Sequence, residues 1–225
     1  MRMKFSEGIW AINKIKGVSS FDVIGFLRNK TGVKKIGHAG TLDPLASGVL
    51  VVAIGREYTK KISEYVKKEK EYEAEMNLAS FSSTDDAEGE KTRVVIDVVP
   101  SFSQIKKTIL EFIGEIEQTP PPYSAIKIKG KPAYKLARAS KEFEIKPRKV
   151  MIKQVEILDY KFPSLKIRVV CGSGTYIRSL ARDLGKKLKT GGYITGLIRT
   201  RVGEFGIKDS INLDMEIRKK DRLKM

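Results

Sequence analysis

The stretch that most constrains this chain is Gly37-His38-Ala39-Gly40-Thr41-Leu42-Asp43-Pro44-Leu45-Ala46-Ser47-Gly48, followed at once by Val49-Leu50-Val51-Val52-Ala53-Ile54. The second segment is uniformly apolar and mostly β-branched, the pattern of a fully buried strand. The first is rich in glycine and buries little apolar surface, so its geometry serves something other than packing. Asp before Pro is common turn chemistry, and the residue ahead of a proline is held extended. The result is a carboxylate, Asp43, fixed at a rigid turn against a buried strand, with the chain's only histidine, His38, five residues upstream. A loop of this kind can present a carboxylate to a ligand; as bare pattern, an ordinary tight turn fits about equally well.

Bulk properties narrow the partner. The chain has 225 residues, 41% of them hydrophobic, enough for one large domain or one domain with a small appendage. A formal charge of +17 favours polyanions, of which nucleic acid is the commonest large one. Acidic membrane surfaces compete for that charge, but the sequence has no long apolar span, no signal-peptide pattern and no basic amphipathic tail with bulky anchors. A single cysteine, Cys171, excludes an intramolecular disulfide and a cysteine-rich metal site, and one histidine argues against a His-based zinc site. The expectation is a cytoplasmic protein without metal or cofactor.

Taken in order, Gly8–Lys14 alternates like a half-buried strand, with Lys14 as a solvated charge. Ser19 or Ser20 caps a helix carrying Val23, Ile24 and Leu27 on one face. Arg56–Lys67 reads as a short helix with Ile62, Tyr65 and Val66 inward. From Lys70 to Leu78 the period is two, which places Tyr72, Ala74, Met76 and Leu78 together. Asp85-Asp86-Ala87-Glu88-Gly89 lacks the spacing of a calcium loop and reads as solvated. Ser101 and Gln104 have capping-box spacing ahead of the stripe Ile105, Ile109, Phe112, Ile113, which Gly114 ends.

The three prolines 120–122 exclude a central strand and lead extended chain into a hairpin or loop. From Lys127 to Lys149 nine basic residues face only Glu142 and Glu144, with Tyr134 and Phe143 interleaved; that asymmetry suits an arm that tracks phosphates. Val150–Leu158 is strand-like with a slip near Gln154, and Leu165–Cys171 is a second strand with Cys171 on its buried face. Gly172–Thr175 opens a helix with Ile177, Leu180, Ala181, Leu184 and Leu188 inward; it lacks the Lys-Thr of a P-loop and reads as ordinary helix initiation. Tyr193–Phe205 reads as strand, and the tail from Asn212 to Met225 mixes apolar and charged residues. Periodicity alone supports an α+β class.

Several of these segments resemble the bacterial tRNA pseudouridine synthases that modify uridine 55 in the T loop. They are Lys14–Ser20 (K-x-x-G-x-S-S), the Gly37–Gly48 run, Lys70–Ala74 (K-x-Y-x-A), Pro120–Arg138 (P-P-x-Y-S-A-x-K-x-x-G-x-x-A-Y-x-x-A-R), Cys171–Gly185 (C-x-x-G-T-Y-I-R-S-L-A-R-D-L-G) and Leu197–Phe205, where Ile198 stands in place of a usual arginine. The resemblance implies the pseudouridine synthase fold: a mixed, largely antiparallel sheet with flanking helices and a central cleft.

It also implies site residues. Asp43 is the catalytic carboxylate, Tyr72 lies in the active site, Tyr176 and Arg178 line it, and Leu197 contacts the target nucleotide. Residues about 120–149 form the arm that inserts into RNA, with Lys127 and Lys129 on phosphates. Arg178 suits the role of guanidinium partner to Asp43, His38 that of filling the gap left by a flipped base, and Tyr72 that of stacking on uracil. Attack at C1′, addition at C6 and removal of a sugar proton are all open to one carboxylate.

The implied partner is the T-arm stem-loop of tRNA, bound by a monomer with no cofactor, metal or membrane. One catalytic domain over 1–225 is expected, with too little chain beyond Phe205 for the C-terminal PUA-type domain of most bacterial members. A non-catalytic RNA-binding or RNA-folding protein would share the charge and the arm. A nucleoside glycosidase would call for two carboxylates flanking the bond.

Overall fold

Alternation over the first segment yields strand β1 (Gly8–Lys14), and the turn after it opens helix α1 (Ser20–Thr31). The computed structural model describes residues 5–214. Ser19 is the N-cap of α1, and Asp22 completes a capping box by reaching back to the Ser19 backbone, which sets where the helix starts. Val23, Ile24 and Leu27 are buried as their spacing requires. The chain forms two compact units: one runs to Tyr72 and resumes at Leu197, and the other is Glu73–Gly196.

In the first unit, β2 (Ile36–Ala39) and β3 (Ser47–Ile54) follow α1, then helix α2 (Arg56–Lys67), and strand β4 (Lys70–Asn77) carries the chain into the second unit. His38 and Ala39 are therefore strand residues, and the irregular loop is shorter than the glycines suggest. Within α2, Ile62 and Tyr65 pack on the core, whereas Val66 is exposed, contrary to expectation.

The second unit continues with β5 (Ser80–Ser82), β6 (Lys91–Arg93), α3 (Phe102–Leu110), β7 (Gly114–Gln118), β8 (Lys127–Ile128), β9 (Lys131–Pro132), α4 (Ala133–Arg138), β10 (Arg148–Lys161), β11 (Ser164–Cys171) and α5 (Ile177–Lys187). The box of Ser101 and Gln104 caps α3, with Ile105 and Ile109 buried. The helix ends at Leu110, earlier than Gly114, and leaves Ile113 exposed. β10 pairs antiparallel with β7 and β11, and its register slips between Ile152 and Gln154, the anticipated bulge. β11 lies next to β4, and Cys171 is fully buried. The basic stretch holds the hairpin β8–β9 and also α4, a helix whose charges masked it in the sequence.

β12 (Tyr193–Val202) brings the chain back to the first unit, where β13 (Phe205–Gly206) and β14 (Ile211–Asn212) follow. Tyr193–Phe205 is thus a strand turning into a short hairpin. The last residues of the tail, 215–225, lie outside the described residues. In the first unit β3 is central: it runs antiparallel to β1 and β2 and parallel to β12, while β14 adds parallel to β1. Val49 and Val51 pack with Ala11, Ala39 and Val202 in a core sealed by Ile9, Tyr65, Phe205 and Ile207. The class is α+β, mixed and largely antiparallel, as expected.

Candidate active site

The Asp43 loop is held from both sides by its own unit. Ser20 accepts from the Leu42 backbone N–H at 2.8 Å and donates to the Leu42 carbonyl at 3.0 Å. Gly17 donates to the Pro44 carbonyl at 2.8 Å, and Ala46 N–H closes the turn on the Asp43 carbonyl at 3.0 Å. Leu42, Leu45 and Ala46 are buried, so the turn is pinned by apolar contact as well, and Asp43 between them is half-buried. Two glycines are required by geometry. Gly40 sits at φ 81°, and Gly48 at φ 102° lies so close to the Arg199 backbone that a Cβ would stand 2.2 Å from its carbonyl oxygen.

Two buried cations support this loop, and sequence reasoning missed both. Arg199, 1% exposed, donates from Nε to the Val49 carbonyl at 2.7 Å and from a terminal nitrogen to the Gly40 carbonyl at 2.9 Å. The signal was present: on β12 Leu197 and Arg199 share the buried face, while Ile198, the departure from the family pattern, is exposed. Lys14 corrects the expectation of a solvated charge. It is 1% exposed and donates to the carbonyls of Val18 at 2.7 Å and Ile15 at 3.0 Å. Burial pulls its pKa down to about 8; the Asp43 carboxylate opposes that shift, and the Arg199 charge adds to it.

His38 pairs with Val52 across β2 and β3. Burial, and then the Arg199 charge, lower its pKa, so the imidazole is neutral at neutral pH, and its Nδ1 is buried without a hydrogen-bond partner. It lines a cavity of about 600 Å³ together with Arg28, Lys34, Lys35 and Thr59, a wall whose charged members are all basic. Tyr72 and Leu197 are both buried.

The second unit organises Tyr176 and Arg178. Tyr176 is the N-cap residue of α5. Arg178, buried, donates to the carbonyls of Thr84 at 3.1 Å and Tyr123 at 2.9 Å and lies 3.5 Å from the Asp86 carboxylate. Asp85 and Asp86 are therefore not a solvated loop. Both are buried, and Asp85 pairs with Arg182 at 2.7 Å; burial raises its carboxyl to about 6, against the pull of Arg182 and Arg178. Arg182 and Ser179 also bond the Thr119 carbonyl. The first turns of α5 are thus fastened to residues 118–123, the root of the basic arm. Lys127, Lys129 and Lys131 are exposed in the hairpin beyond.

Residues 28–177 match TruB family pseudouridylate synthase (N terminal domain). The chain is 45% identical over 206 residues to tRNA pseudouridine synthase B of Protochlamydia amoebophila, covering 92% of this chain and 78% of that one. It is 43% identical over 217 residues to tRNA pseudouridine synthase B of Bacteroides fragilis, 93% of each chain. Among solved structures it resembles a chain of a Cbf5-Nop10-Gar1 complex, with TM-score 0.69 and 30% identity over 92% of this chain and 52% of that one. It also resembles a chain of an H/ACA RNP bound to a substrate RNA, with TM-score 0.67 and 28% identity over 91% and 50%. The chain spans about half the length of those two solved chains. The family match includes the Asp43 loop, Tyr72 and Tyr176, and the likeness to relatives runs through nearly the whole sequence: this chain belongs to the TruB family of pseudouridylate synthases.

Proposed function

We propose that the chain isomerises uridine 55 in the T loop of tRNA to pseudouridine, with Asp43 as the reacting carboxylate. The observation that carries this is the Asp43 turn, held on either side by the backbone bonds of Leu42 and Pro44 and by the burial of Leu42, Leu45 and Ala46, in a chain of the TruB family of pseudouridylate synthases. The relatives named tRNA pseudouridine synthase B supply the substrate class. The reaction breaks the bond from N1 to C1′ and joins C1′ to C5; C5 loses a proton and N1 gains one, so the balance is that of an isomerisation.

The uracil must leave its stack, at a cost of a few kcal/mol that new contacts offset. In this reading the neutral His38 fills the vacated space, Tyr72 and Tyr176 stack on or border the base, and Leu197 touches the target nucleotide. Arg178 serves the reacting carboxylate, and Lys127 and Lys129 hold phosphates of the T arm. Domain extent follows the same reading: one catalytic domain with its arm at about 120–149, acting as a monomer in the cytoplasm.

The test is incubation of the purified chain with unmodified tRNA transcript and with a T-arm stem-loop, followed by mapping of pseudouridine. Product confined to position 55 is expected on both. Product elsewhere overturns the site assignment, and tight binding with no product favours a non-catalytic RNA-binding protein. Arg178→Lys should lower the single-turnover rate heavily despite keeping the charge, because an ammonium lacks the planar fork; an unaltered rate removes Arg178 from the assignment.

A further inference from the structure

Gln118 and Arg148 stand directly opposite each other on β7 and β10, and both reach the same residue, Tyr176. Cross-strand partners in an antiparallel pair share a face with Cβ atoms about 5 Å apart. Gln118, 1% exposed, uses both ends of its amide: Oε1 accepts from the Tyr176 N–H at 2.8 Å, and Nε2 donates to the Tyr176 carbonyl at 3.0 Å. The Arg148 guanidinium lies 5.1 Å from the centre of the Tyr176 ring and donates to the Gly174 carbonyl. Arg148 is thus set apart from the other arm cations; it is partly buried, while the other eight basic residues from Lys127 to Lys149 are exposed.

We propose that Gln118 and Arg148 are a positioning pair for Tyr176, the amide fixing its backbone and the guanidinium its ring. The inference rests on the reading of Tyr176 as an active-site residue. An amide that satisfies both polar groups of one residue leaves that residue little freedom, and an arginine over the ring face adds cation–π attraction. A tyrosine at a helix N-terminus with no side-chain cap of its own has an unsatisfied N–H, which Gln118 takes. The strand register also ties this clamp to the arm, because β7 leads into residues 118–123 and β10 emerges from the arm's far end.

The test uses Gln118→Met, close in shape but unable to form either bond, in the full chain. Its single-turnover rate on saturating T-arm RNA should fall by about ten- to a hundredfold, as misplacement of a group near 1 Å does, while the RNA Kd stays within about twofold. In a Tyr176→Ala background the same substitution should cost no more than about twofold further, because the two act as one unit. Gln118→Glu keeps the acceptor and donates only when protonated, so its rate relative to the parent chain should recover as pH falls.

A lowered Tm with an unchanged rate would reduce Gln118 to helix support, and losses that multiply in the double variant would also overturn the proposal. Should Gln118→Met not fold, the pH ratio of Gln118→Glu decides, a flat ratio counting against. Tyr176→Ala at full rate overturns the reading of Tyr176 and this inference together, whereas an impaired Tyr176→Ala beside a fully active Gln118→Met overturns the inference alone.

Discussion

The Asp43 loop and the basic arm use the same residue types in opposite ways. Around the loop, Lys14 and Arg199 are each 1% exposed and direct their donors at backbone carbonyls: Val18 and Ile15 for one, Val49 and Gly40 for the other. In the arm, Lys127, Lys129 and Lys131 lie in solvent on a two-residue-per-strand hairpin. Buried cations cost desolvation and are retained where several acceptors hold them, so they fix a shape. Exposed cations fix little; their worth lies in the counterions released when phosphates arrive. Net charge alone does not distinguish the two populations, and substitution can.

The largest effect should come from Asp43, the carboxylate that this loop carries. Asp43→Asn keeps size and removes charge, and the single-turnover rate should fall by at least about a thousandfold with RNA affinity nearly unchanged, as for loss of a reacting acid–base or nucleophilic group. Product at close to the parent rate would mean that the loop is shaped for something other than its carboxylate. Next in size is Arg199→Met, which leaves the Gly40 and Val49 carbonyls without their donor. The cost should be about 3 kcal/mol, or roughly 6–12 °C in Tm for a chain of this length, together with a lower rate. The salt dependence of RNA binding should not move. A normal Tm would show that the arginine is dispensable to the loop.

What could be seen in the sequence was what acts locally or repeats. The caps at Ser19 and Ser101 declare themselves within four residues, the apolar run of β3 needs no partner to be recognised, and the slip near Gln154 shows as broken alternation. Asp43 showed as a candidate in the pattern of its glycine-rich Asp-Pro loop, and resemblance gave it a role; Tyr72, Tyr176 and Arg178 stood out only through resemblance, since isolated tyrosines and arginines carry no signal of their own. The supporting residues stayed hidden because their partners are far along the chain: Arg199 meets Gly40 across 159 positions, Arg182 meets Asp85 across 97, and Gln118 meets Tyr176 across 58. Lys14 was misread for a related reason. A lone lysine at the end of a half-buried strand is usually solvated, and only the fold brings the turn at Val18 back over it. Helix α4 was missed since the nine basic residues over Lys127–Lys149 masked a short run made mostly of good helix formers, Ala133-Tyr134-Lys135-Leu136-Ala137-Arg138.

The other side of the comparison is tested in the arm. Replacing Lys127, Lys129 and Lys131 together with glutamine should flatten the plot of log affinity against log salt by about two to three units, roughly one for each phosphate no longer neutralised. Affinity near 100 mM salt should weaken by about a hundredfold or more, with Tm unchanged within error. A slope that stays the same would mean these lysines never meet phosphate, and the arm would join the surface as ordinary solvated charge.

The smallest effect is also the one that most directly reads a buried cation. Lys14 has its pKa lowered to about 8 from an ordinary 10.5, chiefly by desolvation; Asp43 and, less strongly, Asp22 pull the other way, and Arg199 adds to the depression. The folded value lies below the unfolded one. Between about pH 8 and 10.5 the unfolded chain therefore holds a proton that the folded chain has released, and the contribution of Lys14 to stability rises with pH across that window. Below pH 8 both forms are charged and the burial cost is present in full. The difference in Tm between the parent chain and Lys14→Met should accordingly move in favour of the parent from about pH 8 to about pH 10. The neighbours give a sharper check. Asp43→Ala removes the main opposing charge and should lower the Lys14 pKa further, while Arg199→Met removes a repulsive one and should raise it, both read by NMR of the lysine ε-carbon. Shifts of the same sign in the two variants would mean that Lys14 responds to a general loosening of the loop rather than to two opposed charges at fixed places around it.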